Sequence, residues 1–329
     1  MRAIRQHRFG GPDELVLEEQ PDLEPTDGQV RIAVEAAGVH LLDTSIRAGE
    51  PGPFGVATLP MTPGREVAGT VDAVGPGVDE ASGAKWFGRR VVVHLGAANG
   101  GYASQVVAPA DALIPIGGDV DAADAVAMVG TGRTALGILG EAQLGADDVV
   151  IVTAAAGGLG TLLVQAASNA GCLVVGVAGG PTKVELVRSL GADVAVDYRR
   201  EGWVNDVNSA LGDRTINVAL DGVGGTIGRA TFDQVAPGGR MVLFGYTEGA
   251  PMELSAPDLF AHGVSVTAAI GPRMFARPGG IQGLATEAVE RLEHGEWHPV
   301  VDRFALDRAA DAHTALEARR TTGKVVLIP

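Results

Sequence analysis

Two stretches place chemistry-bearing residues at informative spacings. In VVIVTAAAGGLGTLLVQAASNAG (149–171), Ala155, Gly157 and Gly160 keep a G-x-G-x-x-G spacing with alanine in first place, after an apolar run and before a helical one. Small residues in such a bend, here with Gly158 and Leu159 inside it, let the backbone approach a pyrophosphate. The helix start beyond it offers free N–H groups and the positive end of its dipole. The chemistry is dinucleotide binding; a glycine turn kept for tight strand–helix packing is the plainer alternative. The second stretch, TPGREVAG (62–69), sets Arg65 and Glu66 side by side where the chain enters an apolar strand. An unpaired buried charge is costly, so both residues need partners.

The type of nucleotide is read about 20 residues past the glycines, where an NAD site carries an acid for the ribose hydroxyls. That window reads VVGVAGG (174–180) and holds no carboxylate. Pro181 then opens a helix with Lys183 in its first turn, where a cation is unfavourable against the dipole unless an anion lies nearby. A ribose 2′-phosphate is such an anion, so the expected cofactor is NADPH; a Lys183 that points into water is the other reading.

These residues need a frame to position them. The chain has 329 residues, enough for two domains, and 46% of them are hydrophobic. From 1 to 120 it is strand-like and rich in Gly and Pro, with Val30, Ile32 and Val34 alternating against Gln29, Arg31 and Glu35. From about 121 to 270, β-branched runs at 149–152, 173–177, 194–196, 216–220, 240–245 and 264–270 alternate with helix-length segments. In the helix after the glycines, Leu159, Leu162, Leu163, Ala166, Ala167 and Ala170 mark a buried face, and Gly171 a stop. The expected fold is α/β: a doubly wound, six-stranded parallel Rossmann sheet over 121–270, beside a mostly antiparallel β-barrel from 1–120 and 271–329.

Composition narrows the partners. A net charge of −15 repels phosphate backbones, which argues against nucleic acid. The lone Cys172 leaves no disulfide pair within the chain and no multi-cysteine metal site. No apolar run reaches membrane-spanning length and the start lacks an apolar leader, so the expected localisation is cytoplasmic with no membrane partner.

With these motifs in view, the chain resembles the zinc-free quinone oxidoreductases, zeta-crystallin-like, of the medium-chain dehydrogenase/reductase superfamily. The resemblance rests on VEAAGVHLLDTSIRAG (34–49), LPMTPGREVAGTVDAVGPGV (59–78), GGYASQVVAPA (100–110), GRTALGIL (132–139), AAAGGLG (154–160), LVRSLGADVAVDYR (186–199), DGVGG (221–225) and RRTTGKVVLIP at the end. It implies a GroES-like catalytic domain around the Rossmann domain, and NADPH-dependent reduction of a quinone or another conjugated carbonyl. In the zinc-dependent relatives the turn matching TPGREVAG carries a metal-binding His; here Arg65 stands there, and an arginine has no lone pair to give. His40 takes the place of the catalytic cysteine, no His, Cys or acid lies between Asp124 and Arg133, and the cysteine-rich zinc lobe is absent. The resemblance therefore implies no metal.

Carried over residue by residue, it puts Ala155, Gly157, Gly158, Leu159 and Gly160 at the pyrophosphate. Gly179, Gly180, Lys183, Tyr198 and Arg319 fall around the 2′-phosphate, although the family often has serine at Gly179 or Gly180. Thr134, Val223, Gly224, Phe244 and Gly245 flank the nicotinamide. At the substrate site the family's asparagine becomes His40 and its tyrosine Ser45, while Asp43 and Arg47 are kept. His40 is the candidate donor to a substrate carbonyl, since imidazole titrates near neutrality; Asp43 is equally a structural carboxylate. His94 is a weaker candidate, and His7, His262, His294, His298 and His313 are expected at the surface or as caps. Further expectations are a homodimer through the edge strand near Val264–Ile270 and a loop over the site with Gly271, Pro272, Arg273, Pro278 and Gly279. Two rival functions stay open: an enal, enone or enoyl-thioester reductase, and a low-turnover nucleotide-binding protein of sensor or crystallin type that also touches RNA.

Overall fold

The computed structural model describes residues 1–53, 55–78, 85–277 and 279–329, so Pro278 of the expected loop lies outside the described residues. The chain divides into two units, Met1–Thr131 with Ala285–Pro329, and Gly132–Leu284.

In the first unit, β1 (Arg2–Arg5) and β2 (Val16–Glu19) form an antiparallel ribbon. The main sheet has the order β14 (Val301–Ala305), β15 (Lys324–Ile328), β3 (Gln29–Val39), β4 (Glu66–Val74), β5 (Arg90–His94), β7 (Ile114–Pro115). The strand β6 (Gln105–Pro109) pairs with the first half of β3, and β15 with the second half. All described pairs of this sheet are antiparallel except β14 with β15. The alternation in β3 is borne out through Glu35, with Val30, Ile32 and Val34 buried. From Ala36 to Val39 both faces are buried, where helix α2 (Ala122–Ala127) lies against small side chains.

In the second unit, β8 (Val149–Val152), β9 (Leu173–Ala178), β10 (Val194–Asp197), β11 (Ile216–Asp221), β12 (Val235–Leu243) and β13 (Ser265–Ala268) form one parallel sheet in the order β10-β9-β8-β11-β12-β13. This is the doubly wound order 3-2-1-4-5-6, whose reversal between β8 and β11 opens a ligand crevice at the strands' carboxyl ends. The near-continuous apolar runs of β8, β9 and β11 are what a strand covered on both faces requires. β12 starts five residues before the expected Arg240, because Gly238 at φ 82° bends it and the register slips between Ile216 and Val218.

Helix α4 (Gly158–Asn169) follows β8 and is stopped near Gly171, at φ 81°. Its buried face differs from expectation: Thr161 through Gln165 and Ala167 are buried, whereas Ala166 is half-buried and Ala170 exposed. Packing surrounds the first turns of the helix, so no single stripe marks its inner side. Helix α5 (Pro181–Ser189) opens at Pro181 as expected, capped by Gly180 at φ 101°.

Candidate functional site

The bend after β8 has the geometry of an anion cradle. Gly157 caps α4 without a side-chain hydrogen bond, and the N–H groups of Gly158, Leu159 and Gly160 make no backbone hydrogen bond among the described residues. Helix starts leave such donors for a ligand. Gly160 is required by packing: a Cβ there would lie 2.7 Å from the Ala155 Cα and 2.8 Å from its carbonyl carbon. Ala155 is fully buried and its N–H donates to the Val177 carbonyl at 3.1 Å, which ties the bend to β9.

At the end of β9, the backbone of Gly179 and Gly180 is overlain by side chains from the end of β10. A Cβ on Gly179 would stand 3.3 Å from the Tyr198 hydroxyl and 3.5 Å from the Arg199 Nε, and one on Gly180 would stand 3.1 Å from the Arg199 guanidinium carbon. Arg199 is a residue that the sequence reading missed. It is 61% exposed in its side chain and holds Asp197 at 3.4 Å, so it borders the glycine pair as a solvated cation. Lys183 lies half-buried in the first turn of α5. Arg319 is exposed and belongs to the other unit.

Beside the β8–β11 crevice, the buried Asp221 organises the DGVGG turn. Its carboxylate accepts from the Thr153 hydroxyl at 2.7 Å and from the N–H groups of Val223 and Gly224 at 3.1 Å each, and the Gly222 N–H donates to Thr153 Oγ1 at 3.0 Å. Burial raises its carboxyl against these bonds. Val223 is buried, Gly224 at φ 68° starts helix α7 (Gly225–Phe232), and the Phe244 N–H donates to the Asp221 carbonyl at 2.8 Å. Val223, Gly224, Phe244 and Gly245 are therefore gathered at one corner. Thr134 sits half-buried in helix α3 (Arg133–Ala142).

In the first unit, Arg65 and Glu66 stand next to each other along an extended chain, so their side chains take opposite sides. Glu66 is fully buried. Its Oε1 is 2.6 Å from the His40 Nε2, its Oε2 is 2.7 Å from the Lys324 Nζ, and Lys324 also comes within 3.1 Å of His40 Nε2. Burial alone would raise the Glu66 carboxyl; His40 and Lys324 overcome it and hold the group well below the usual carboxylate range. Two glycines make room for the cluster. A Cβ on Gly130 would meet Glu66 Cδ at 2.6 Å, and one on Gly38 would meet Val126 Cγ1 at 2.8 Å and Lys324 Cε at 3.1 Å. Lys324 also escaped the sequence reading; a lysine opening an apolar strand was the available signal.

Asp43 and Arg47 lie on α1 (Leu41–Ala48) and belong to a buried network. Asp43 accepts from the His40 N–H at 2.8 Å and from the Tyr102 hydroxyl at 3.2 Å, and stands 3.5 Å from Arg65 Nη2. Arg47 donates to the Gly10 carbonyl, to His313 Nδ1 at 3.3 Å and to Glu317 at 2.6 Å. These contacts make Arg47 a structural cation with no bond to His40. Ser45 is half-buried.

His313, expected at the surface, is fully buried. Arginine only donates, so His313 Nδ1 accepts from Arg47, and its Nε2–H faces the Tyr102 oxygen at 3.0 Å, which in turn donates to Asp43. Burial pushes the imidazole down to about 4 against its ordinary 6.5, opposed by Asp43 and helped by Arg47. The folded protein therefore binds fewer protons than the unfolded chain between these values. The stability that neutral His313 contributes is complete above pH 6.5 and is lost as pH falls toward 4. That loss is on the order of 3 kcal/mol at about 1.4 kcal/mol per unit. Melting temperature followed against pH should decline over this window, and His313→Gln should flatten the decline; an unchanged slope in the variant would refute the assignment.

No helix of the described residues is long and apolar enough to cross a membrane. Among them no group of three or more His, Cys, Asp and Glu could hold a metal ion. The donors near Arg65 do not fit zinc, because Arg65 has no lone pair and His40 and Glu66 are held together by Lys324.

Comparisons with known proteins agree with this architecture. Residues 26–118 match the alcohol dehydrogenase GroES-like domain and residues 158–282 the zinc-binding dehydrogenase domain. A quinone oxidoreductase of Pseudomonas aeruginosa is 32% identical over 100% of this chain and 99% of its own. A 2-haloacrylate reductase of a Burkholderia species is 31% identical over 98% and 97%. Among solved structures, a mycobacterial protein complexed with NADPH is 35% identical at a TM-score of 0.86, and the Escherichia coli quinone oxidoreductase complexed with NADPH is 28% identical at 0.86. Each covers 100% of both chains. The chain belongs to the quinone oxidoreductase group of the medium-chain dehydrogenase/reductase superfamily and is an NADPH-dependent oxidoreductase.

Proposed function

We propose that the protein reduces quinones or activated enones by hydride transfer, without a metal ion. The observation that carries this reading is the anion cradle at Gly158–Gly160, followed by the Gly179–Gly180 platform bordered by Tyr198 and Arg199, with Lys183 in the first turn of α5. Bound NADPH supplies the hydride. The chain's residues do the rest. The helix start holds the pyrophosphate, and Arg199 and Lys183 take the 2′-phosphate. Val223, Gly224, Phe244, Gly245 and Thr134 orient the nicotinamide. Conjugated acceptors suit a site that lacks a Lewis acid, because the incoming electron pair delocalises onto their own oxygen. His40, partly exposed and set by Glu66 and Lys324, is the group that faces the acceptor oxygen, with Asp43 and Ser45 beside it on α1.

The 2-haloacrylate reductase among the relatives favours a second reading, reduction of the carbon–carbon double bond of a conjugated acid or thioester. β13, the outermost strand of its sheet, is the surface we assign to a homodimer.

Two measurements test the proposal. NADPH should bind the purified protein at least about tenfold more tightly than NADH, and Arg199→Ala should remove most of that preference, since a charge-assisted hydrogen bond is worth roughly 1.5–3 kcal/mol. An acceptor panel should show NADPH oxidation with quinones or enones that survives chelators. Equal binding of NADH, or turnover that needs added zinc, would overturn it.

A further inference from the structure

Arg65 leads to a second site. The first unit contains a cavity of about 560 Å³ whose described lining includes two arginines, Arg5 and Arg65, and no aspartate or glutamate, in a chain of net charge −15. The rest of the lining is small or apolar, with Ile46 and Met61 among it, and Thr58, Thr62 and Asn99 as polar members.

Both cations are sparsely paired among the described residues. Among the described residues Arg5 has one side-chain bond, to the Thr62 hydroxyl at 3.2 Å, and no ion pair. Arg65 is 6% exposed; its single ion pair, with Asp43, is long at 3.5 Å, and its Nε has no acceptor among the described residues. Two guanidiniums lining one hollow that holds no carboxylate are an expensive pairing unless a ligand anion sits between them. Two guanidiniums around an apolar hollow match an organic anion with a planar head, since the arginine fork pairs with a carboxylate in two parallel bonds. The same Arg65 reaches Asp43, which accepts from the His40 N–H, so one carboxylate links a cavity arginine to the backbone of the group given to the acceptor.

We propose that Arg5 and Arg65 form a carboxylate subsite and that the acceptor is an α,β-unsaturated carboxylic acid. This rests on the second reading above, reduction of a conjugated acid, and adds the residues that hold its carboxylate. Hydride addition to the β-carbon of such an acid drives the π pair onto the α-carbon and the carboxylate, piling a second negative charge on an anion. The two guanidiniums offset that charge where it develops. The α-carbon then takes a proton from water, and NADPH leaves as NADP⁺, which balances the step.

The test compares crotonic acid with methyl crotonate, and 1,4-benzoquinone as a carboxylate-free acceptor, in NADPH oxidation by the intact protein. The wild type should prefer the acid over the ester in kcat/KM by at least about tenfold, and Arg5→Gln and Arg65→Gln should each cut that ratio by at least about tenfold, mainly through KM for the acid. Melting curves show which variants fold; Arg5, at the cavity's partly exposed side, serves if Arg65→Gln does not. Calorimetric titration of the wild type with crotonate and, separately, inorganic phosphate distinguishes a carboxylate subsite from a general anion site. An acid-to-ester ratio near one, a ratio unmoved in a folded variant, or phosphate binding as tightly as crotonate would overturn the subsite. Loss of turnover with every acceptor, benzoquinone included, would instead strike at the reductase reading, while crotonate binding would still report on the cavity.

Discussion

Substituting Gly160 by valine should raise the dissociation constant for NADPH by at least about a hundredfold. The N–H groups of Gly158, Leu159 and Gly160 have no backbone acceptor among the described residues at the head of α4, and each hydrogen bond from such a donor to a charged phosphate is worth roughly 1.5–3 kcal/mol. Their alignment depends on how closely the bend folds on the helix. A side chain at 160 meets the backbone of Ala155 at 2.7–2.8 Å, and that backbone cannot yield because the Ala155 N–H is bonded to Val177 inside the sheet. The helix start must therefore swing away, and two or more phosphate bonds go with it. Fluorescence titration with NADPH measures the effect, with circular dichroism to confirm the fold. Gly145→Ala is the control, since a Cβ at Gly145 has nothing within 4 Å. Binding of Gly160→Val within a fewfold of wild type would remove this bend from the cofactor site.

The Rossmann strands were readable because strands buried on both faces need unbroken β-branched runs, and 149–152, 173–178 and 216–221 supply them. The glycine bend was readable because its demand is local: a backbone approach and a helix start within six residues. What escaped depends on partners distant in sequence. Lys324 is marked in its own neighbourhood only as a charge opening an apolar strand; its role exists because β15 pairs with β3 and brings it to Glu66. His313, expected at the surface or as a cap, carries no local mark of burial, because its helix, Ala309–Glu317, buries mainly alanines. Ala309, Ala312 and His313 form that inner face, which has too little apolar bulk to announce itself. Arg199 shares its place with Arg200 at a strand end, and only the backbone of Gly179 and Gly180 beneath it distinguishes the two.

The largest stability effect should come from Glu66→Gln. Glu66 is fully buried and sits between Lys324, 4% exposed, and His40. The variant keeps the shape and leaves Lys324 as a buried cation with another basic group 3.1 Å away. Stranding one partner of a buried pair costs about 3–5 kcal/mol, so denaturant midpoints should fall steeply. Removing both charges relieves the stranded cation, and Glu66→Gln with Lys324→Met should recover a large part of the loss, which makes the effect non-additive. The acid limb gives an independent reading. The Glu66 carboxyl lies well below its ordinary 4.5 in the fold, so its contribution is complete above that value and disappears as pH falls through the folded value. This limb lies at the acid end of the His313 window and should vanish in Glu66→Gln while the decline between pH 6.5 and 4 persists. A loss below about 1 kcal/mol, or a double variant no better than the single one, would mean that Lys324 and His40 do not depend on this carboxylate. The position of His40 would then need another cause, because the Asp43 bond holds its backbone and leaves its ring free to turn.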